Sequence, residues 1–124
     1  MNQALVIALG GAAGSVLRYW TSLGAHHLFG RGFPYGTLAV NVLGSLAIGL
    51  FYVLLVERSS LGIEWRAALL TGFLGGFTTF SAFSLETLML VEQTEHLKAM
   101  ANIALNIVLC LVAAWMGIYA GRQL

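Results

Sequence analysis

Charge is scarce in this sequence: 9% of its 124 residues are charged, and the formal net charge is only +1. Soluble domains carry about 25% charged residues. A water-facing surface of ordinary composition is thereby excluded, and so is a field strong enough to hold nucleic acid, since no basic block or interleaved basic-aromatic patch occurs. Cysteine appears once, as Cys110, in an apolar stretch. One thiol forms no intrachain disulfide, and without a histidine or second cysteine nearby in sequence it forms no thiolate zinc site; it reads as a buried, inert thiol. Proline also appears once, as Pro34. The N-terminus carries neither a basic n-region nor a small-residue cleavage site, so the first apolar run is expected to remain as the first membrane span. No Gly-Lys-Ser/Thr follows the glycines, which rules out a phosphate-binding loop, and no nucleophile has a visible base partner. Enzymatic activity is not expected.

What the chain has in abundance is apolar side chains, at 59%. A membrane helix needs about 20 of them in sequence. Four such runs can be marked, approximately Ala4 to Leu23, Tyr35 to Val56, Ala67 to Val91 and Ala99 to Ala120. The expectation is an all-α membrane protein in which residues 1–124 form a single domain of four transmembrane helices. The connectors are short and polar. His26, His27, Arg31, Gly32 and Pro34 fall in the first, Glu57 to Glu64 and Arg66 in the second, and Glu92 to Lys98, with His96, in the third. Such tight loops favour antiparallel neighbours, and the three histidines read as solvated surface groups rather than metal ligands.

Lysine and arginine are retained on the cytoplasmic side, so their distribution sets orientation. Here Arg18, Arg31 and Lys98 on one side oppose Arg58, Arg66 and Arg122 on the other. That balance predicts insertion in both orientations, and two opposed copies would pair around a two-fold axis in the membrane plane; the alternative is one orientation fixed by other features. Small residues recur at helix-packing spacing in Gly10 and Gly14, Ser45 and Gly49, Gly72 and Gly76, and Gly117 and Gly121. They let backbones approach where lipid supplies no hydrophobic drive. Four helices do not comfortably enclose a conduction path alone, so transport would imply an oligomer.

The third span carries a polar cluster at membrane depth, Gly75-Gly76-Phe77-Thr78-Thr79-Phe80-Ser81-Ala82-Phe83-Ser84. A glycine pair beside clustered hydroxyls weakens a helix, and a backbone opened there must satisfy its carbonyls with protein, water or an ion. A cation held by carbonyls of Gly75 and Thr78 is one solution. A continuous helix whose hydroxyls bond the preceding turn is the other. Phe80 and Phe83, three apart, share a helical face, and their electropositive ring edges suit an anion, although lipid-facing packing is the commoner role. Thr79, Ser81 and Ser84 supply donors beside them. Asn41 offers a carboxamide in the second span, for an ion or for a neighbouring helix. Asn102, Asn106 and Cys110 recur at i, i+4 and i+8 in the fourth, a polar stripe that either lines a path or bonds adjacent helices. Arg18 and Glu86 fall in the last thirds of their spans. Arg18 reads as snorkelling to the interface, whereas Glu86, on the face of Phe83, suits a vestibule.

Three runs together resemble a known family, the CrcB or Fluc fluoride channels of bacteria: Gly14-Ser15-Val16-Leu17-Arg18-Tyr19, Gly36-Thr37-Leu38-Ala39-Val40-Asn41-Val42-Leu43-Gly44, and Gly72-Phe73-Leu74-Gly75-Gly76-Phe77-Thr78-Thr79-Phe80-Ser81. They fall in order in successive spans, and the resemblance covers essentially the whole chain. It implies a dual-topology antiparallel homodimer in the bacterial inner membrane, with two separate pathways for passive fluoride export. It implies a third helix broken near its middle, where a structural sodium ion at the dimer centre meets main-chain carbonyls of Gly75 and Thr78 from both copies. By the same resemblance Phe80, Phe83 and Asn41 are pore residues, Asn102, Asn106 and Cys110 correspond to a polar track, Thr37, Thr79, Ser81, Ser84 and Glu86 belong to the pathway, and Arg18 is structural. One departure is Ala82, which stands where the family usually has a hydroxyl. A small multidrug-type cation transporter is the competing reading, but its class needs a carboxylate inside the first span, and none is present.

Overall fold

The computed structural model describes residues 2–58 and 62–124, and among these every element of secondary structure is helical. Helix α1 spans Gln3–Phe29 and α2 spans Tyr35–Tyr52, continuing into a π-helical turn, Val53–Glu57. A short α3, Ile63–Arg66, leads through a π-helical stretch, Ala67–Leu74, into α4, Gly75–Phe77. Helix α5 spans Phe80–Glu92, and α6 spans His96–Gln123. Among the described residues, four stretches are long and apolar enough to cross a membrane: Gln3–Phe29, Tyr35–Glu57, Ile63–Glu92 and His96–Gln123.

Capping explains where α1 begins and ends. The Asn2 side chain accepts the Ala4 N–H at 2.7 Å, occupying an orphan donor of the first turn. At the other end Gly30 turns the chain with φ 85°, and its N–H reaches the His26 carbonyl at 2.8 Å. Only glycine takes that left-handed conformation without steric cost. The helix therefore runs past the apolar stretch, and His26 and His27 belong to its last turn, not to a connector. Arg18 accordingly lies nearer the middle of the 27-residue helix than its last third. His96 likewise opens α6 instead of sitting in the loop before it. Residues 59–61 of the expected second connector lie outside the described residues.

Two glycine-lined contacts hold the bundle. A Cβ at Gly10 or Gly14 would lie 2.2 Å from the Ala68 carbonyl oxygen or 2.0 Å from that of Phe73. Those at Gly72 and Gly76 would lie 2.7 and 2.6 Å from the carbonyls of Ile7 and Gly11. The first and third spans thus touch backbone to backbone. Gly49 and Gly117 do the same for α2 and α6, where a Cβ would lie 2.2 Å from the Ala114 or Leu46 carbonyl oxygen. This is how helices associate where lipid gives no hydrophobic drive between them. At one end of this second pair, Arg122 bridges Glu57 at 2.8 Å, and Arg58 donates to the Arg122 carbonyl at 2.8 Å.

Because the pairs close so tightly, little is fully enclosed. Among the described residues, the largest side chains wholly removed from the surface are Val40, Val53 and Asn102, and one of these three is polar. Large apolar residues such as Leu9, Leu88, Leu111 and Trp115 face outward, as suits a chain whose solvent is lipid.

Candidate functional site

The third span leaves helical geometry at two residues. Thr78 has φ −87° and ψ 158°, and Thr79 has φ −151° and ψ 121°, so an extended pair separates α4 from α5. Up to that point the helix is reinforced, since the Leu74 carbonyl accepts both the Thr78 N–H at 3.0 Å and its hydroxyl at 2.9 Å. Beyond it, backbone donors are diverted to side chains. The Thr79 N–H donates to Asn41 Oδ1 at 2.8 Å, while Asn41 Nδ2 returns a bond to the Thr79 carbonyl at 3.0 Å. The Ala82 N–H donates to Thr79 Oγ1 at 3.2 Å, which caps α5.

The consequence for the carbonyls follows from helical bookkeeping. In a continuous α-helix the Thr79 N–H would serve Gly75 and the Ala82 N–H would serve Thr78. With both donors turned away, the carbonyls of Gly75 and Thr78 lose their i+4 partners. Gly44 makes room for this arrangement, since a Cβ there would lie 2.2 Å from Thr78 Cγ2.

From Asn41 a line of hydrogen bonds runs through the bundle. Asn41 Nδ2 donates to Asn106 Oδ1 at 3.2 Å. Asn106 Nδ2 donates to Asn102, at 2.9 Å to its carbonyl and 3.0 Å to Oδ1. Asn102 Nδ2 donates to Thr87 Oγ1 at 2.9 Å, and the Thr87 hydroxyl donates to the Phe83 carbonyl at 2.7 Å. Asn102 is 0% exposed, and Asn106 and Thr87 are buried. In one chain, then, the fourth-span stripe bonds its neighbours. Thr87 was not anticipated; the signal available was a hydroxyl four residues after Phe83, on the same helical face. Cys110 takes no part in these bonds and is half-buried instead of buried.

Phe80 and Phe83 meet with ring centroids 5.2 Å apart and planes tilted by 55°. Their surroundings differ sharply: Phe83 is 9% exposed and Phe80 77%. Phe80 borders two open grooves. One, of about 310 Å³, includes Asn41, Ser45, Gly75, Thr78 and Thr79; the other, of about 390 Å³, includes Phe83, Ser84, Thr87 and Ile103. Ser81 Oγ lies 3.4 Å from Thr79 Oγ1, and the Ser84 hydroxyl donates to the Phe80 carbonyl at 3.0 Å.

The remaining sequence candidates lie apart from this cluster. Thr37 is buried within α2. Glu86 borders a cavity of about 480 Å³ together with His26, Arg31, Glu95 and Lys98. Its Oε1 is buried without a hydrogen-bond partner. The cavity rim is held by Lys98 Nζ, which donates to the Gly32 carbonyl at 3.0 Å. Arg18 is half-buried on α1.

A bundle of four apolar spans with a buried amide and hydroxyl network at the depth of two extended residues defines a small multi-pass membrane protein. More narrowly, the chain belongs to the CrcB family: the family model described as "CrcB-like protein, Camphor Resistance (CrcB)" matches residues 5–118. It is 53% identical over 124 residues to a protein of Shewanella amazonensis named "Fluoride-specific ion channel FluC", covering 100% of this chain and 96% of that protein. A Coxiella burnetii protein of the same name is 48% identical over 123 residues, covering 98% of this chain and 99% of the relative. A third, from Methylococcus capsulatus, is 52% identical over 125 residues; this chain spans 55% of its length.

Proposed function

We propose that this chain is a fluoride-selective ion channel of the bacterial inner membrane, allowing passive export of the anion and so relieving fluoride toxicity. The single observation that carries this reading is the 53% identity, over the whole chain, with a relative named as a fluoride-specific ion channel. The function is transport, and no bond is made or broken.

The geometry supports the reading in physical terms. Fluoride is small and strongly hydrated, and conduction requires sites weak enough to release it. Ring edges of Phe80 and Phe83, with hydroxyls of Thr79 and Ser81 near them and that of Ser84 once it leaves the Phe80 carbonyl, offer neutral, partial replacement of water in place of a fixed cation that would trap the ion. Glu86 and Thr37 belong to the approach from the Arg31 and Lys98 end. A narrow path of this kind rejects chloride by size and by incomplete compensation of its lost hydration.

The working unit in this proposal is an antiparallel, dual-topology homodimer. An aromatic ring 77% exposed at the junction of two grooves supports a second copy closing over Phe80. The extended pair Thr78–Thr79 acts as a break in the third span. The carbonyls of Gly75 and Thr78, relieved of their helical partners, are hard oxygen donors, which suit a hard monovalent cation. Bound there, sodium would supply structural charge at the dimer centre and would not be transported.

The test is fluoride efflux from liposomes loaded with the purified protein, read with a fluoride electrode beside chloride and drug-cation assays. Selective fluoride efflux is the expected result; drug-cation exchange without it would favour the multidrug-type reading. Assembly is tested separately by adding two lysines to the Glu57 to Arg66 connector. That variant alone should be inactive and should recover when co-expressed with an oppositely biased copy; full activity from one fixed orientation would refute the antiparallel dimer.

A further inference from the structure

We propose that Thr87, held by Asn102, is a positioning residue that fixes the rotation of α5 and thereby the placement of Phe80 and Phe83; the proposal rests on the channel reading above. The first ground is the direction of the hydrogen bonds. Asn41 uses its amide hydrogens on the Thr79 carbonyl and Asn106 Oδ1, and Asn106 uses its own on Asn102. The Thr87 hydroxyl is spent on the Phe83 carbonyl. A carboxamide nitrogen has two hydrogens and a hydroxyl has one. Asn41, Asn106 and Thr87 therefore have no donor left for an anion without breaking a bond within the protein, and Asn102, with one hydrogen on Thr87, keeps a single one. Their arrangement suits a brace better than a row of ion sites.

The second ground is what the brace holds. Helix α5 contains no glycine, so it lacks the backbone-to-backbone contacts that join the first span to the third and α2 to α6. Among the described residues, the Asn102 to Thr87 bond is the one side-chain hydrogen bond joining α5 to another helix. At its start, α5 is fixed through the capping residue Thr79, whose backbone is gripped by Asn41. The two anchors, Thr79 and Thr87, lie on either side of Phe80 and Phe83. Both lead to the same ladder through Asn106 and Asn102. Two fixed points on a rigid helix set its rotation about its axis. Release of the Thr87 anchor lets α5 turn while the glycine-packed pairs stay in place.

The experiment compares Thr87→Val, which keeps the shape and removes the hydroxyl, with Thr87→Ser, which keeps the hydroxyl. Each is made in the full chain, reconstituted in liposomes, and also prepared with para-fluorophenylalanine at position 83 for fluorine NMR. Thr87→Val is expected to shift or broaden the Phe83 resonance and to lower fluoride-over-chloride discrimination by about fivefold, the equivalent of one net hydrogen bond. Thr87→Ser is expected to restore both to within about twofold. If Thr87→Val does not fold, Thr87→Ala, which adds no bulk, takes its place. A folded valine or alanine variant with the wild-type resonance and discrimination would overturn the proposal. So would a serine variant as impaired as valine, because the methyl and not the hydroxyl would then be the working part. Absence of fluoride flux in the unsubstituted protein would defeat the channel reading alone; the NMR comparison would still decide whether the tether positions Phe83.

Discussion

Replacing Asn41 by leucine should close the extended pair in the third span. The change keeps side-chain volume but removes the acceptor for the Thr79 N–H at 2.8 Å and the donors to the Thr79 carbonyl and Asn106, at 3.0 and 3.2 Å. A net protein hydrogen bond contributes about 1 kcal/mol, and a buried group left unpaired costs about 1–3 kcal/mol. The open form thus loses about 2 kcal/mol at Thr79 alone. A closed form recovers the loss, because the Thr79 N–H can return to the Gly75 carbonyl. The ratio of open to closed should therefore fall by about 30-fold. Structure determination of the variant reads this directly in Thr78, whose ψ of 158° should move toward the helical value of about −42°. Fluoride efflux should fall with it, since the Thr79 hydroxyl and the freed carbonyls move together. Asn41→Asp retains an acceptor for the same N–H and should stay extended. A leucine variant that keeps an extended Thr78 and full flux would refute the reasoning.

Other consequences are simpler to measure. Isoleucine at Phe80 or Phe83 removes the electropositive ring edge and should cut fluoride flux steeply while sparing folding and the proposed dimer, with methionine tolerated better and Phe51→Leu as the unaffected control; equal flux in all variants would show that the rings only pack. Gly14→Ala places a Cβ 2.0 Å from the Phe73 carbonyl, far inside the ordinary 3.4 Å contact, and should destabilise the protein by about 1–3 kcal/mol in detergent unfolding. Gly24→Ala meets nothing within 4 Å and should instead stabilise α1 by up to about 1 kcal/mol. Thr94 carries φ 60° in the turn between α5 and α6, so Thr94→Gly should raise the unfolding temperature by relieving about 1 kcal/mol of strain.

The apolar runs made the four spans legible, because bilayer thickness demands their length. The glycine spacings marked faces that pack closely, yet nothing in a spacing says that Gly14 meets Phe73 while Gly117 meets Leu46. The glycines and threonines of the third span pointed to weakness at the right depth. What holds Thr79 extended is Asn41, 38 residues away, and no local pattern supplies that partner. Asn102 and Asn106 were legible as a stripe, but Thr87, which accepts from Asn102, belongs to no motif. Cys110 shows where the stripe argument fails: each i+4 step overshoots a helical turn by about 40°, so two steps rotate the thiol well away from the Asn102 direction. The extent of α1 was missed because its end is set by Gly30, past the histidines, and not by hydropathy.

The glycine contacts also constrain the order in which this protein can assemble. Neither backbone-to-backbone pair joins consecutive spans: the first span closes on the third, and the second on the fourth. As the chain emerges from the ribosome, the smooth faces of α1 and α2 must therefore wait in lipid without their closest partners. The first pair can form only after residues 67–77 have been made, and the second only after Gly117, near the C-terminus. Insertion of separate helices must precede their packing, and any chain stalled before its fourth span leaves α2 with Gly49 bare in the bilayer.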